Sequence, residues 1–177
     1  MATRSRALAL TMAILKPDIS RVPYAIQEIH ELILDHGFYF VRSKQMQLTR
    51  ELAEEFYAEH KGRFFYNRLV TFMSSGPVLA HVLAHPYAVS HWRALMGPTR
   101  VFQAQFESPA SIRGALGLTD TRNSSHGSDS LETAQREIQF FFPDFDWSKF
   151  FSEEEPFLRA DQCEFDAESL THRIMKR

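Results

Sequence analysis

His126 stands in the run Asn123-Ser124-Ser125-His126-Gly127-Ser128-Asp129-Ser130, with Arg113 before it and Glu137 after it. A neutral imidazole can attack an electrophile through one ring nitrogen when the ring is held in one orientation. Glu137, on the segment that follows, is a carboxylate able to return and set that orientation. A phosphoryl group in transfer spreads negative charge over its oxygens and needs fixed cations and amides to meet it. Lys16, Arg63, Arg93, Arg113 and Asn123 are the candidates, and Asp129 is suited to hold the water shell of a divalent ion. These residue types point to an imidazole that carries a phosphoryl group. Gly127 allows the close approach of a bulky group.

The same residues have plainer uses. Arginines are most often surface or ion-pair residues. Asp129 reads equally as a helix cap, with Glu132 three residues on. Phe64, Phe65 and Tyr66 suit a core or an interface, Glu153-Glu154-Glu155 a solvated face, and Cys163 a buried or tail thiol. The seven histidines other than His126 read as packing or surface residues.

Elements must position this chemistry. The apolar stretch 7–15 predicts a strand that stops at Lys16-Pro17-Asp18. Ile26, Ile29 and Ile33 recur at helical spacing between Pro23 and Gly37. A second strand is predicted over 38–48, then a helix capped by Thr49, a short helix over 65–74 and a third strand over 78–83. Residues 87–96 form a helix with Ala88, Trp92 and Leu95 on one face. Residues 97–110 read as a long irregular stretch, of the kind that is often functional. A short strand precedes His126, and the following helix, with Asp129 as its N-cap, buries Leu131, Ala134, Ile138, Phe141 and Phe142. The order implies an α+β sandwich, a small antiparallel sheet with helices on its faces. Past Pro143 the periodicity dissolves. The domain is therefore drawn over 1–145, with 146–177 a C-terminal extension packed on the surface or partly disordered.

The chain has 177 residues, 44% hydrophobic and 24% charged, which suits one soluble domain. A formal net charge of −2 argues against broad nucleic-acid or membrane-surface binding. No apolar run is long enough to span a bilayer. Cys163 is the only cysteine, which excludes an intrachain disulfide and a cysteine-rich zinc site. Arg4 and Arg6 in an acid-free first segment resemble a weak transit peptide, although 7–15 also reads as a first strand.

Taken in order, several segments resemble the nucleoside diphosphate kinase family, and a divergent branch of it. They are Ile14-Leu15-Lys16-Pro17-Asp18, Phe56-Tyr57, Arg63-Phe64-Phe65, Ser75-Gly76-Pro77, Arg93-Ala94-Leu95-Met96-Gly97-Pro98-Thr99, Ser111-Ile112-Arg113-Gly114, the run around His126, and Arg136-Glu137-Ile138. The resemblance implies a ferredoxin-like βαββαβ sandwich, a four-stranded antiparallel sheet covered by helices. It implies a ping-pong reaction in which His126 takes the γ-phosphate of a nucleoside triphosphate and passes it to a nucleoside diphosphate, with Mg2+ on the phosphates. It implies that Lys16 and Asn123 meet the sugar hydroxyl and a phosphate oxygen. Phe65 stacks on the base and Leu69 borders it. Arg93, Thr99 and Arg113 hold phosphates, Tyr57 lines the histidine and Glu137 orients it. Stacking on a ring face admits every base.

Between Thr99 and Ile112 the chain is longer than common family members, in the loop that family hexamers pack at their trimer contact. This departure argues against the family's hexamer and the loop positions it supports; the expected partners are nucleoside di- and triphosphates and either a homo-oligomer or a heterologous protein. An alternative to the active enzyme is a nucleotide-binding regulatory module with low intrinsic turnover that needs a partner protein. An RNA-binding sheet is a third reading, which the balanced charge opposes. The branch resemblance implies a mitochondrial location, the alternative being cytoplasmic.

Overall fold

Ala9–Leu15 forms the first strand, β1, and its residues from Leu10 onward are all buried. A strand covered on both faces must be apolar on both, so its sequence shows no clean alternation. Its side chains still divide by parity. Leu10, Met12 and Ile14 enter one apolar cluster, and Ala13 and Leu15 enter the other.

In the computed structural model, which describes residues 6–176, β1 is followed by helices α1 (Pro17–Ser20) and α2 (Pro23–Asp35) and strand β2 (Tyr39–Gln47). Helices α3 (Arg50–Phe56) and α4 (Tyr66–Met73) lead to strand β3 (Pro77–His85). Helices α5 (Ala88–Met96), α6 (Val101–Glu107) and α7 (Ile112–Leu116) precede strand β4 (Ser125–Gly127) and helix α8 (Leu131–Phe141). The sheet order is β2-β3-β1-β4 with every neighbouring pair antiparallel. This is the ferredoxin-like α+β sandwich. Ile29, Ile33, Trp92 and Met96 of α2 and α5 cover one face. Phe56, Val70, Ile138 and Phe141 of α3, α4 and α8 cover the other.

Local chemistry sets the boundaries. Pro23 opens α2, and Gly37 leaves it at φ 75°, a left-handed conformation that glycine adopts without strain. The Thr49 hydroxyl accepts the Leu52 N–H at the start of α3. At α8 the cap is Ser130, which accepts the Thr133 N–H, and not Asp129. The Asp129 carboxylate accepts from the Thr133 hydroxyl instead. The helix consequently starts at Leu131, which lies at its end and is 56% exposed, while Phe142 falls beyond its other end and is half-buried.

Two further expectations are corrected. The stretch 97–110 is not irregular throughout, since it contains α6. Val101 and Ala104 of that helix are buried while Phe102 and Phe106 point outward, so apolar residues on both sides hide its period. His126 lies within the short strand, not after it, opposite Ile14 of β1. The segment whose basic residues suggested a transit peptide includes residues 1–5, which lie outside those described.

After Pro143 the chain adds helix α9 (Trp147–Lys149), a π-helical turn (Phe150–Glu154), helix α10 (Glu155–Arg159) and a hairpin of β5 (Cys163–Asp166) and β6 (Thr171–Ile174). Phe150 and Leu158 join the core. The acidic run is not one solvated face, because successive helical residues point about 100° apart. Glu154 makes a two-pronged ion pair with Arg42. Glu155 is buried and accepts the Leu8 N–H. Of the three, Glu153 is the exposed one.

The hairpin lies against the edge strand β2, where the Phe40 N–H donates to His172 Nδ1 at 2.8 Å and the Ser43 hydroxyl donates to the Leu170 carbonyl at 2.5 Å. With its hydrogen so used, Ser43 Oγ accepts from His81 Nδ1 at 2.7 Å. His81 Nε2 then accepts from His30 Nε2 at 3.1 Å. One of the two facing Nε2 atoms must be unprotonated for this contact to form, so the rings cannot both be charged. Burial holds His81 down to about 3 and His30 to about 4, against 6.5 for the free side chain. Below 6.5 the unfolded chain takes up protons that the folded chain refuses, so stability is lost as the pH falls from 6.5 toward those values. The thermal midpoint should therefore fall across that window and fall less steeply in His81→Asn. A wild-type midpoint that is flat there contradicts the assignment.

Candidate active site

The His126 ring is held from several sides. Its Nε2 lies 2.6 Å from Glu137 Oε2. Glu137, on α8, is 2% exposed, and its Oε1 accepts from Ser128 Oγ at 2.7 Å. Ser128 in turn accepts the Met12 N–H of β1 at 3.2 Å. The Phe56 ring meets the imidazole edge-on at a centroid distance of 5.3 Å, and Tyr57 does so at 6.1 Å. A carboxylate accepts, so Nε2 carries the proton and Nδ1 is left with a free lone pair. Ser128 was not singled out in the sequence, where it reads only as part of a helix start. Ser124 and Ser125 are buried as completely, and what distinguishes Ser128 is that its hydroxyl joins Glu137 to the β1 backbone.

Gly127 lies on the wall of the site and lets the core close up behind it. A Cβ there would lie 2.6 Å from both Trp92 Cδ1 and Met96 Cε. The Trp92 indole uses that closeness to donate to the His126 carbonyl at 3.2 Å.

Cations are gathered beside the ring. Lys16, the residue after β1, donates from Nζ to Asn123 Oδ1 at 2.6 Å, and Asn123 Nδ2 donates to the Thr99 carbonyl at 3.1 Å. Arg113 of α7 donates to the Gly97 carbonyl at 2.9 Å and the Ser125 carbonyl at 3.2 Å, while its Nε is buried without a partner. Burial, and then the charge of Arg113, push the Lys16 ammonium down to about 7. Burial, and then Arg93, lower Arg113 to about 10, so it stays charged at neutral pH. The Tyr57 hydroxyl is buried with no partner, and burial followed by the Glu137 charge pushes its pKa up. The turn into β4 is strained. Ser124 adopts φ 77°, and its N–H is tied to Asp18 Oδ2 at 3.0 Å.

These groups open onto one crevice of about 600 Å³. His126, Lys16, Asn123, Arg93 and Arg113 line one end, with Thr99 and the exposed Asp129 beside them. Phe64, Phe65 and Leu69 line the other end. All the sequence-derived site residues are brought together except Arg63. That residue sits in the exposed turn before α4 and is absent from the crevice wall. Arg68 and Arg100 are on the wall instead. Arg68 was legible in principle, being three residues from Phe65 on the face that also carries Leu69. The arrangement suits a ligand with a polyanionic tail at the imidazole and a flat ring at the aromatic end.

Residues 9–147 match the family model described as nucleoside diphosphate kinase. The chain is 49% identical over 169 residues to nucleoside diphosphate kinase 6 of Danio rerio, covering 96% of both chains. It is 49% identical over 169 residues to the Homo sapiens protein of that name, covering 96% of this chain and 91% of the other. The fold superposes on the Aquifex aeolicus nucleoside diphosphate kinase with a TM-score of 0.74 at 40% identity, covering 77% of this chain and 96% of that one. A halophilic nucleoside diphosphate kinase from Halobacterium salinarum, solved in complex with CDP, gives 0.71 at 37% identity, covering 78% and 91%.

A Lys16 lowered to about 7 is mostly neutral at a pH above that value, and an anion placed beside it and Arg113 raises it again. Binding of inorganic tripolyphosphate at mildly alkaline pH should therefore take up a proton. Calorimetry in two buffers of unlike ionisation enthalpy reads that uptake, which Lys16→Met removes. Identical enthalpies in the two buffers for the wild type count against it.

Proposed function

This chain belongs to the nucleoside diphosphate kinase family, and we propose that it is a working member, moving the γ-phosphate of a nucleoside triphosphate to a nucleoside diphosphate through phosphorylated His126. The observation that carries this reading is the 2.6 Å bond from His126 Nε2 to Glu137, which leaves Nδ1 as the nucleophile. The Nδ1 lone pair attacks the γ-phosphorus. The bond from that phosphorus to the β–γ bridging oxygen breaks, and the diphosphate leaves with the electron pair. In the second half-reaction a terminal phosphate oxygen of the acceptor diphosphate attacks the same phosphorus, and the N–P bond returns its electrons to Nδ1. Glu137 stabilises the positive charge that the ring carries while phosphorylated.

Arg93, Arg113 and Thr99 bind phosphate oxygens. Lys16 and Asn123, already bonded to one another, meet the sugar hydroxyl and the bridging oxygen. Phe65 and Leu69 hold the base, and Tyr57 closes the crevice behind the ring. Among the described residues no group of three or more His, Cys, Asp or Glu side chains forms a metal cage. The crevice does offer Asp129, whose carboxyl is lowered first by the Thr133 hydroxyl. One ionised carboxylate beside the phosphates fits Mg2+, which keeps much of its water and binds mainly to substrate oxygens. Bound there through a water, it would neutralise phosphate charge.

A second reading is a nucleotide-binding module that turns over only with a partner. It is favoured by Phe102 and Phe106, 82% and 84% exposed on α6, the helix that follows Thr99 and Arg100 on the crevice rim. A homo-oligomer or another protein covering these rings would set the rim.

ATP with magnesium should label the protein with phosphate that is lost in acid and kept in alkali, and His126→Ala should abolish both label and exchange. Normal turnover in that variant contradicts the proposal. Turnover by the purified chain, with its size measured on the same preparation, separates the two readings. Phe65→Ala should raise KM about tenfold with kcat little changed, as expected for loss of a stacked base. Asn123→Ala should mainly lower kcat, by about ten- to a hundredfold. Equal effects on both parameters in both variants contradict this division.

A further inference from the structure

The crevice wall includes the carboxylates Glu59, Asp120, Asp129 and Glu137. Three have partners that explain them. Glu137 holds His126, Asp129 bonds Thr133, and Glu59 lies 3.5 Å from Arg136. Asp120 is different. Its Oδ1 accepts the Val101 N–H at 3.0 Å, which ties the loop before β4 to the start of α6 and fixes the carboxylate in place. Among the described residues it forms no ion pair. It is exposed, and it lies on the wall between the crevice and an adjoining cavity of about 590 Å³. Arg68 lines both spaces as well. A fixed acceptor and a five-donor guanidinium therefore line the same two spaces, one of which also carries Phe65.

We infer that Asp120 and Arg68 read the edge of the base and make this crevice prefer guanine nucleotides. The inference rests on the proposed function, because it assumes that a nucleotide base lies on Phe65. Stacking alone treats all bases alike. The edge does not. Guanine presents acceptors at O6 and N7, the pair that an arginine fork binds, and next to them the donors N1–H and N2–H₂, which suit a carboxylate. Hypoxanthine lacks only the N2 amino group. Uracil presents a single N–H between two carbonyl oxygens, both of which oppose a carboxylate. Adenine offers an amino donor but sets a lone pair at N1 where guanine has a proton. Asp120 keeps lone pairs for the base while holding the Val101 N–H.

Calorimetric titration of the full chain with GDP and with IDP isolates the amino group, since the sugar and phosphates are the same. GDP should bind about tenfold more tightly than IDP, the scale of one hydrogen bond to a charged acceptor. Asp120→Asn retains an amide oxygen for the Val101 N–H but loses the charged acceptor. It should bring the ratio close to one, because GDP loses two bonds and IDP only the one at N1–H, while the affinity for inorganic tripolyphosphate stays at the wild-type value and shows that the crevice is intact. Equal GDP and IDP affinities in the wild type, or a preference that survives Asp120→Asn, overturn the inference and leave the kinase reading standing. Failure of both nucleotides to bind overturns the kinase reading itself.

Discussion

A carboxylate that is almost fully buried grips one nitrogen of a histidine, and most of the site is arranged around that contact. An ionised carboxyl group inside a protein loses its hydration, which is costly unless its lone pairs are answered. Glu137 is answered on both oxygens, by His126 and by Ser128. Ser128 passes the constraint to the Met12 backbone of β1, the strand between β3 and β4. The direction of the imidazole is thus a property of the sheet itself. A shift in the pairing of β1 with β4 would move the ring and its anchor together.

Around this fixed ring the protein concentrates charge that it does not neutralise. Burial lowers the proton affinity of both Lys16 and Arg113, and the charge of Arg113 adds to this at Lys16 as that of Arg93 does at Arg113. The Arg113 Nε and the Tyr57 hydroxyl are buried without partners, and Ser124 is held in a conformation unusual for a residue with a side chain. Such features cost free energy, and the two cations among them are suited to an anion placed beside them. Perturbed and incompletely satisfied groups of this kind cluster where binding or catalysis occurs. The apolar layers on both faces of the sheet supply the stability that permits them.

The C-terminal segment contributes to the same body. The family match ends at residue 147, yet Phe150 and Leu158 pack into the cluster that carries Phe56 and Ile138, and the final hairpin occupies the edge of β2. An edge strand with open backbone groups invites pairing with another chain, and covering it removes that template. Phe102 and Phe106 on α6 are the contrasting case, an apolar pair exposed beside the crevice rim.

Several decisions were already made by local sequence. β1 and β3 were recognisable because continuous apolar runs suit strands covered on both faces. Pro23, Gly37 and Thr49 marked helix ends through backbone geometry and a single side-chain bond. Lys16, Asn123, Arg113, His126 and Glu137 were legible as residue types around a reactive imidazole. Tertiary structure decided which nitrogen of His126 is held, that Ser128 stands behind Glu137, that Arg68 and not Arg63 reaches the crevice, and that Glu154 and Glu155 turn inward. It also set α6 apart from the loop around it. The reason is one of range. Caps and periodicity act between residues a few positions apart, whereas Lys16 and Asn123 are separated by 107 positions and Met12 and Ser128 by 116. Contacts of that kind exist only once strand register and helix packing have brought distant segments to one place.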